Sequence, residues 1–155
     1  MAATIRKAVR ADVPQILSCI RGIAEYEKLS HQVEADEATL EASLFDRQEA
    51  HVLLCEEAKK VLGFALYFYN FSTFKGRKGL YLEDLFVFPN HRGKGYGRKL
   101  FLSLVQIAKE EHCGRMEWVC LDWNSSAIDF YTSLGAKPMS DWTIYRLDEI
   151  DLEHL

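Results

Sequence analysis

The chain has 155 residues, 48% hydrophobic and 27% charged, with three prolines and a net charge of −4 at pH 7, which describes one globular domain over residues 1–155 and excludes a disordered or repeat protein. The net charge is too small to name a partner, and no apolar run reaches signal-peptide or membrane-spanning length, so a cytoplasmic protein without a nucleic-acid or membrane partner is expected. Cys19, Cys55, Cys113 and Cys120 show no C-x-x-C pairing and lie in apolar patterns, which predicts buried thiols rather than disulfides, and no metal.

In chain order, Thr4–Lys7 reads as a first strand. Asp12 is placed to cap a helix with Pro14 in its first turn, and Val13, Ile16, Leu17, Ile20, Ile23 and Ala24 keep helical spacing to about Lys28. Asp36 is expected to cap a second helix carrying Leu40 and Leu44, ending near Phe45. Residues 52–55 and 61–71 read as strands joined by a polar hairpin-like turn, and a loop rich in Gly, Lys and Arg leads into a strand over residues 80–88. A helix from Gly95 to about Glu111 puts Leu100, Phe101, Leu104, Val105 and Ala108 on one face. Residues 116–121 are expected to form a strand. A helix capped by Asn124 or Ser125 and closed by Gly135 follows, then a last strand over residues 142–147. The order βααβββαβαβ implies an α/β fold of mixed α+β character, a central twisted mixed sheet with helices on both faces.

The most informative stretch joins the strand before Pro89 to the helix after Gly95. Arg92, Gly93, Lys94, Gly95, Tyr96, Gly97 and Arg98 let the backbone pass close to a ligand, and the N–H groups of the opening helical turn point at it with the dipole behind them. Arg98 and Lys99 oppose that dipole, which fits a bound anion. No Gly-Lys-Ser/Thr follows, so a nucleotide P-loop is unlike this loop, and the glycine spacing is poor for a dinucleotide fingerprint. The plainer alternative is a glycine-rich helix entry with a solvated basic surface. Basic residues concentrate around this loop, while Glu25, Glu27, Glu34, Asp36, Glu37 and Glu41 make the early region acidic.

Glu83 and Asp84 are adjacent carboxylates in an otherwise apolar strand, where alternation sends neighbouring side chains to opposite faces. Either one of them attracts an ammonium group and accepts its proton, or both pair with Arg77, Arg92 or backbone N–H groups at a sheet end. The N–H groups of Leu85, Phe86 and Val87 can hold an acyl oxygen if this strand splays or carries a bulge. Tyr131 falls on the inward side of its helix, either as core or as a proton donor whose phenol matches a leaving thiolate in pKa. Asn124 is an N-cap, an amide contact to a ligand, or both.

The Arg-x-x-Gly-x-Gly string between a strand and a helix resembles the acetyl-CoA pyrophosphate loop of the GCN5-related N-acetyltransferases. Ala-Glu-Tyr-Glu-Lys-Leu at residues 24–29, Tyr-Leu-Glu-Asp at 81–84, Leu-Asp-Trp-Asn at 121–124 and the run from Asp129 to Ala136 resemble the diamine acetyltransferase branch, which acetylates spermidine, spermine or thialysine. The resemblance implies acetyl-CoA as co-substrate, Tyr131 as general acid and Glu83 as water-assisted base. It implies that Leu85, Phe86, Val87, Arg92, Gly93, Lys94, Gly95, Tyr96, Gly97 and Arg98, with Asn124, Ser125, Ser126 and Ala127, contact the donor. Tyr26, Glu27, Glu83, Asp84, Glu117, Trp118, Val119 and Asp141 then belong to the substrate site, which a homodimer partner helps complete.

The sequence departs from the branch at Asp141, which stands one residue before Trp142 where polyamine enzymes carry a Glu two residues before it, and at Ala127, where they carry Ser. Leu121-Asp122-Trp123-Asn124 leans toward the thialysine type. The implied activity is acetyl transfer to a small cationic amine, with a protein lysine or N-terminal acetyltransferase and a non-catalytic acetyl-CoA-binding module as alternatives. A pure binder has no need of Tyr131.

Overall fold

The computed structural model describes residues 2–155. Its chain forms two compact units, one reaching to Val119 and one over Cys120–Leu155.

The first unit is built on a five-stranded sheet, β1 (Thr4–Lys7), β2 (His51–Glu57), β3 (Lys60–Ser72), β4 (Arg77–Val87) and β5 (Met116–Glu117), in spatial order 1-2-3-4-5. All pairs are antiparallel except β4 with β5, which run parallel. Ala58 and Lys59, with φ of 51° and 67°, make the β2–β3 turn in the left-handed conformations that two-residue hairpins favour.

Strand alternation divides the core. Val52, Leu54, Phe64 and Phe86 pack with Val13, Ile16, Leu17 and Cys19 of α1 (Val13–Tyr26) and with Leu40 of α2 (Glu37–Glu41). Leu53, Cys55 and Ala65, pointing to the other face, are also buried. There α3 (Tyr96–Glu110) crosses the strands and buries Leu100, Phe101 and Leu104. The mixed sheet with helices on both faces therefore matches the sequence expectation.

Two local readings are corrected, and the second helix is met with one added feature. Asp12 sits at the start of α1 but its carboxylate caps nothing there; it accepts from the Val9 N–H at 2.7 Å and from Arg6 at 2.8 Å, because an ion pair at this range outcompetes a helix N–H. The second helix begins as expected, with Asp36 accepting from the Thr39 N–H at 2.8 Å, and then widens into a π turn over Ala42–Asp46. The strand expected over residues 116–121 stops at Glu117, where its pairing with Tyr81 ends.

The second unit contains α4 (Ser125–Ser133) and α5 (Glu149–Glu153). Asn124 caps α4 as expected, its Oδ1 accepting from the Ala127 N–H at 3.3 Å, and Gly135 closes it at φ 88°. Asp148 starts α5, where its N–H donates to Asp151. The strand expected over residues 142–147 does not form. Its alternating residues Trp142 and Ile144 are exposed, and nothing within residues 120–155 offers a strand to pair with. The four thiols form no disulfide among the described residues; Cys19 and Cys55 are buried, whereas Cys113 and Cys120 are only half-buried because they fall in irregular segments rather than in the core. Among the described residues no helix is long and apolar enough to cross a membrane.

Candidate active site

The site begins at a break in β4. Leu66 pairs with Asp84 but its neighbour Tyr67 pairs with Leu82, so Glu83 is an extra residue with no opposite number on β3. This is a β-bulge, and it re-aims everything after it. Without it, the two-residue period would put Asp84 and Phe86 on the same face as Leu80 and Leu82. With it, Asp84 faces α1, and Phe86 joins the cluster of Ile16, Leu54 and Phe64.

The bulge also changes which backbone groups face outward. Before it, Leu80 donates to the Arg115 carbonyl at 3.0 Å, away from β3. After it, Phe88 donates to the Leu62 carbonyl at 2.9 Å, which by antiparallel alternation commits Phe86 and Asp84 to β3 and turns the N–H groups of Leu85 and Val87 outward. The Val87 carbonyl follows, accepting from Arg92 Nε at 2.8 Å. Since β5 pairs with β4 only at Leu80 and Tyr81, the outward N–H groups of Leu85 and Val87 lie on an edge that β5 has left. Of the three residues expected to hold an acyl oxygen, Phe86 has its ring in the core and its backbone in the ladder.

The bulge corrects a second expectation. Strict alternation breaks between Glu83 and Asp84, and the Glu83 charge acts on both Asp84 and Glu27, which ends α1. Burial, then Glu83, then Glu27 push the Asp84 carboxyl up to about 7, and burial followed by Glu83 raises Glu27. The alternative of partners at Arg77 and Arg92 fails. Arg77 donates to the His112 carbonyl and Arg92 to that of Val87, and among the described residues no cation pairs with Glu27, Glu83 or Asp84.

The glycine loop has the form an anion site requires. Gly93 and Gly95 adopt φ of 80° and 85°, and Gly95, the N-cap of α3, brings no side chain to its first turn. The first helical bond runs from the Lys99 N–H to the Gly95 carbonyl at 3.0 Å, so the N–H groups of Tyr96, Gly97 and Arg98 have no helical acceptor. No neighbour lies within 4 Å of where a Cβ would stand on Gly93 or Gly95. Lys94 and Arg98 are exposed, and burial together with nearby Glu57 raises the Tyr96 phenol. Three unmet donors and two exposed cations around a bare backbone suit a diphosphate. Lys99 instead turns away to the Ala3 carbonyl.

Other expected residues fall as follows. Trp118 packs edge-on to Phe101 at 5.1 Å between centroids, Glu117 pairs with Arg115 at 3.1 Å, and Val119 is exposed. In the second unit, Asn124 opens α4, followed by Ser125, Ser126 and Ala127, and Tyr131 lies on its last turn beside Phe130, their ring centroids 5.4 Å apart. Asp141 is exposed. Sequence reasoning passed over Gly63, where a Cβ would lie 2.4 Å from the Phe86 carbonyl oxygen; a glycine inside a strand is the available signal for such a close approach.

The acetyltransferase (GNAT) family model matches residues 17–136. A thialysine N-epsilon-acetyltransferase from Bos taurus is 37% identical over an alignment covering 93% of this chain and 91% of the relative. An L-ornithine N5-acetyltransferase from Arabidopsis thaliana is 30% identical, covering 95% and 85%. Among solved structures, an integron cassette protein from V. cholerae superposes with a TM-score of 0.83 at 29% identity, covering 99% of this chain and 97% of that one. The chain belongs to the GNAT acetyltransferase family and is an N-acetyltransferase that acts on amines.

Proposed function

We propose that this GNAT-family enzyme moves the acetyl group of acetyl-CoA directly to a primary amine of a small cationic substrate, a diamine, a polyamine or a thialysine-like amino acid, in a ternary complex. The observation that carries the reading is the group of three carboxylates, Glu27, Glu83 and Asp84, without basic partners beside the open edge of β4. Half-buried carboxylates beside an exposed one, raising one another's affinity for protons in this way, invite a cation.

Acetyl-CoA supplies an activated thioester whose carbonyl carbon accepts the amine. The N–H groups of Tyr96, Gly97 and Arg98 and the cations Lys94 and Arg98 hold its diphosphate, and Asn124, Ser125, Ser126 and Ala127 line its arm. Leu85 and Val87 donate N–H groups to the acyl oxygen, where preorganised donors are worth most. Tyr26, Glu27 and Asp84 hold the ammonium, with Glu117, Trp118, Val119 and Asp141 as further substrate-site residues. Glu83 takes the ammonium proton through water, and Tyr131 gives a proton to the departing thiolate. Residues 1–155 act as one catalytic domain in the cytoplasm, and a second copy of the chain completes the amine site.

A panel of diamines, polyamines, thialysine, ornithine and lysine-bearing peptides, read by thiol release, tests this. Turnover should favour free amines that carry a second positive charge. A preference for peptides, or donor binding without thiol release on any amine, overturns it. Sedimentation at working concentration tests the shared site, since an active monomer would have to build the amine pocket alone.

A further inference from the structure

Arg92 opens the basic loop, and its place in the sequence groups it with the anion-binding residues. Its side chain runs the other way. Nε donates to the Val87 carbonyl at 2.8 Å, and the guanidinium carbon lies 4.7 Å from the centroid of the Tyr26 ring and 5.4 Å from that of Phe86. Its own N–H is also engaged, donating to the Pro89 carbonyl at 3.3 Å. Among the described residues Arg92 has no carboxylate partner. A planar guanidinium can stack on rings while its edge serves a carbonyl, which an ammonium cannot do.

The layer beneath Arg92 is rigid. Phe86 is buried and packs edge-on to Phe88 at 5.2 Å, and α1 meets its ring at Gly22, where a Cβ would stand only 2.6 Å away. Helix α1, Phe86, Arg92 and Tyr26 therefore make one continuous stack. Glu27 follows Tyr26 directly, and Lys28, at φ 62°, then turns the chain away. Fixing the Tyr26 ring fixes where Glu27 stands relative to the Glu83 bulge and Asp84.

We propose that Arg92 is a positioning residue for the amine site: it ties Tyr26, and through it Glu27, to the Val87 edge of β4, and it is not chiefly a ligand of the donor's phosphates. The proposal rests on the reading of Glu27, Glu83 and Asp84 as the amine site. It couples the two substrates' sites through a side chain whose motif position suggests only one of them.

The test compares Arg92→Lys and Arg92→Gln with the wild type, using calorimetric acetyl-CoA affinity and steady-state kinetics on the best amine of the panel. Both variants should raise the KM for the amine about tenfold or more while acetyl-CoA affinity stays within about threefold, and Lys should rescue no better than Gln. Adding Tyr26→Leu to either variant should cost little beyond the larger single effect, because the two residues act as a unit. Retained donor affinity also certifies that the variants fold. Loss of acetyl-CoA affinity with an unchanged amine KM, rescue by Lys, or additive penalties overturn the proposal alone. A wild type that turns over no amine overturns the proposed function and this proposal with it.

Discussion

The Glu27 carboxylate at the end of α1 reaches across to β4 and helps keep a proton on Asp84. Burial and Glu83 contribute more, and together the three effects bring the Asp84 carboxyl from an ordinary 3.8 up to about 7. The folded state thus binds this proton more tightly than the unfolded chain, so stability from this group is full below about pH 4 and falls as pH rises through 7. Asp84→Asn should raise thermal stability at pH 8, by roughly 1–3 kcal/mol after allowance for solvent screening, and change it little at pH 4. Thermal melts of both proteins across this range check the sign. A cationic amine should stabilise the wild type more at pH 8 than at pH 5.

Gly22 offers a second structural test. Alanine ordinarily improves a helix interior by about 1 kcal/mol, but here its Cβ would stand 2.6 Å from the Phe86 ring. Overpacking wins. Gly22→Ala should destabilise by about 1–3 kcal/mol, read as a lowered urea midpoint with an unchanged slope.

The loop glycines should separate by conformation. Gly95 is left-handed at φ 85°, so Gly95→Ala should cost about 1 kcal/mol even though its surroundings are open. Gly97 lies within α3 and a Cβ there would only touch Val87 at 3.9 Å, so Gly97→Ala should be neutral or stabilising by up to about 1 kcal/mol. Gly97→Glu, which puts an anion beside the unmet N–H groups, should abolish acetyl-CoA binding in a protein that still folds. Calorimetric titration and thermal melts measure both halves.

Tyr131→Phe removes the proposed acid and leaves the ring. Turnover should fall by roughly ten- to ten-thousand-fold, with acetyl-CoA affinity little changed. A donor with a better thiol leaving group should show a smaller loss. Unaltered turnover with both donors would reduce Tyr131 to a packing residue.

Much of this was legible wherever the signal is local. The β1 residues, the apolar face of α1, the Asn124 cap and the left-handed Gly135 follow from side chains interacting with their immediate neighbours, and the left-handed turns that lead into α3 are written in Gly93 and Gly95. What was not legible depends on distant partners. Asp12 looks like a helix cap until Arg6 is placed beside it, and residues 142–147 alternate like a strand but find no partner strand within residues 120–155. The Glu83 bulge was named as a requirement and could not be located, because one extra residue is visible only once β3 supplies the register. The company of Asp84 and Glu27, 57 positions apart in the chain, likewise waits on the fold.

That extra residue makes β4 a segment where counting outranks identity. Deleting Glu83 would set Leu82 directly beside Asp84, opposite Tyr67 and Leu66, and so restore a regular ladder in which Asp84 and Phe86 keep their partners and faces while the Glu83 carboxylate and the local bend are lost together. Substituting Glu83 would change its charge and leave the bend, whereas deleting it would remove both at a stroke. Libraries meant to shift amine preference should therefore vary Glu83 and Asp84 in place and keep the length of β4 unchanged.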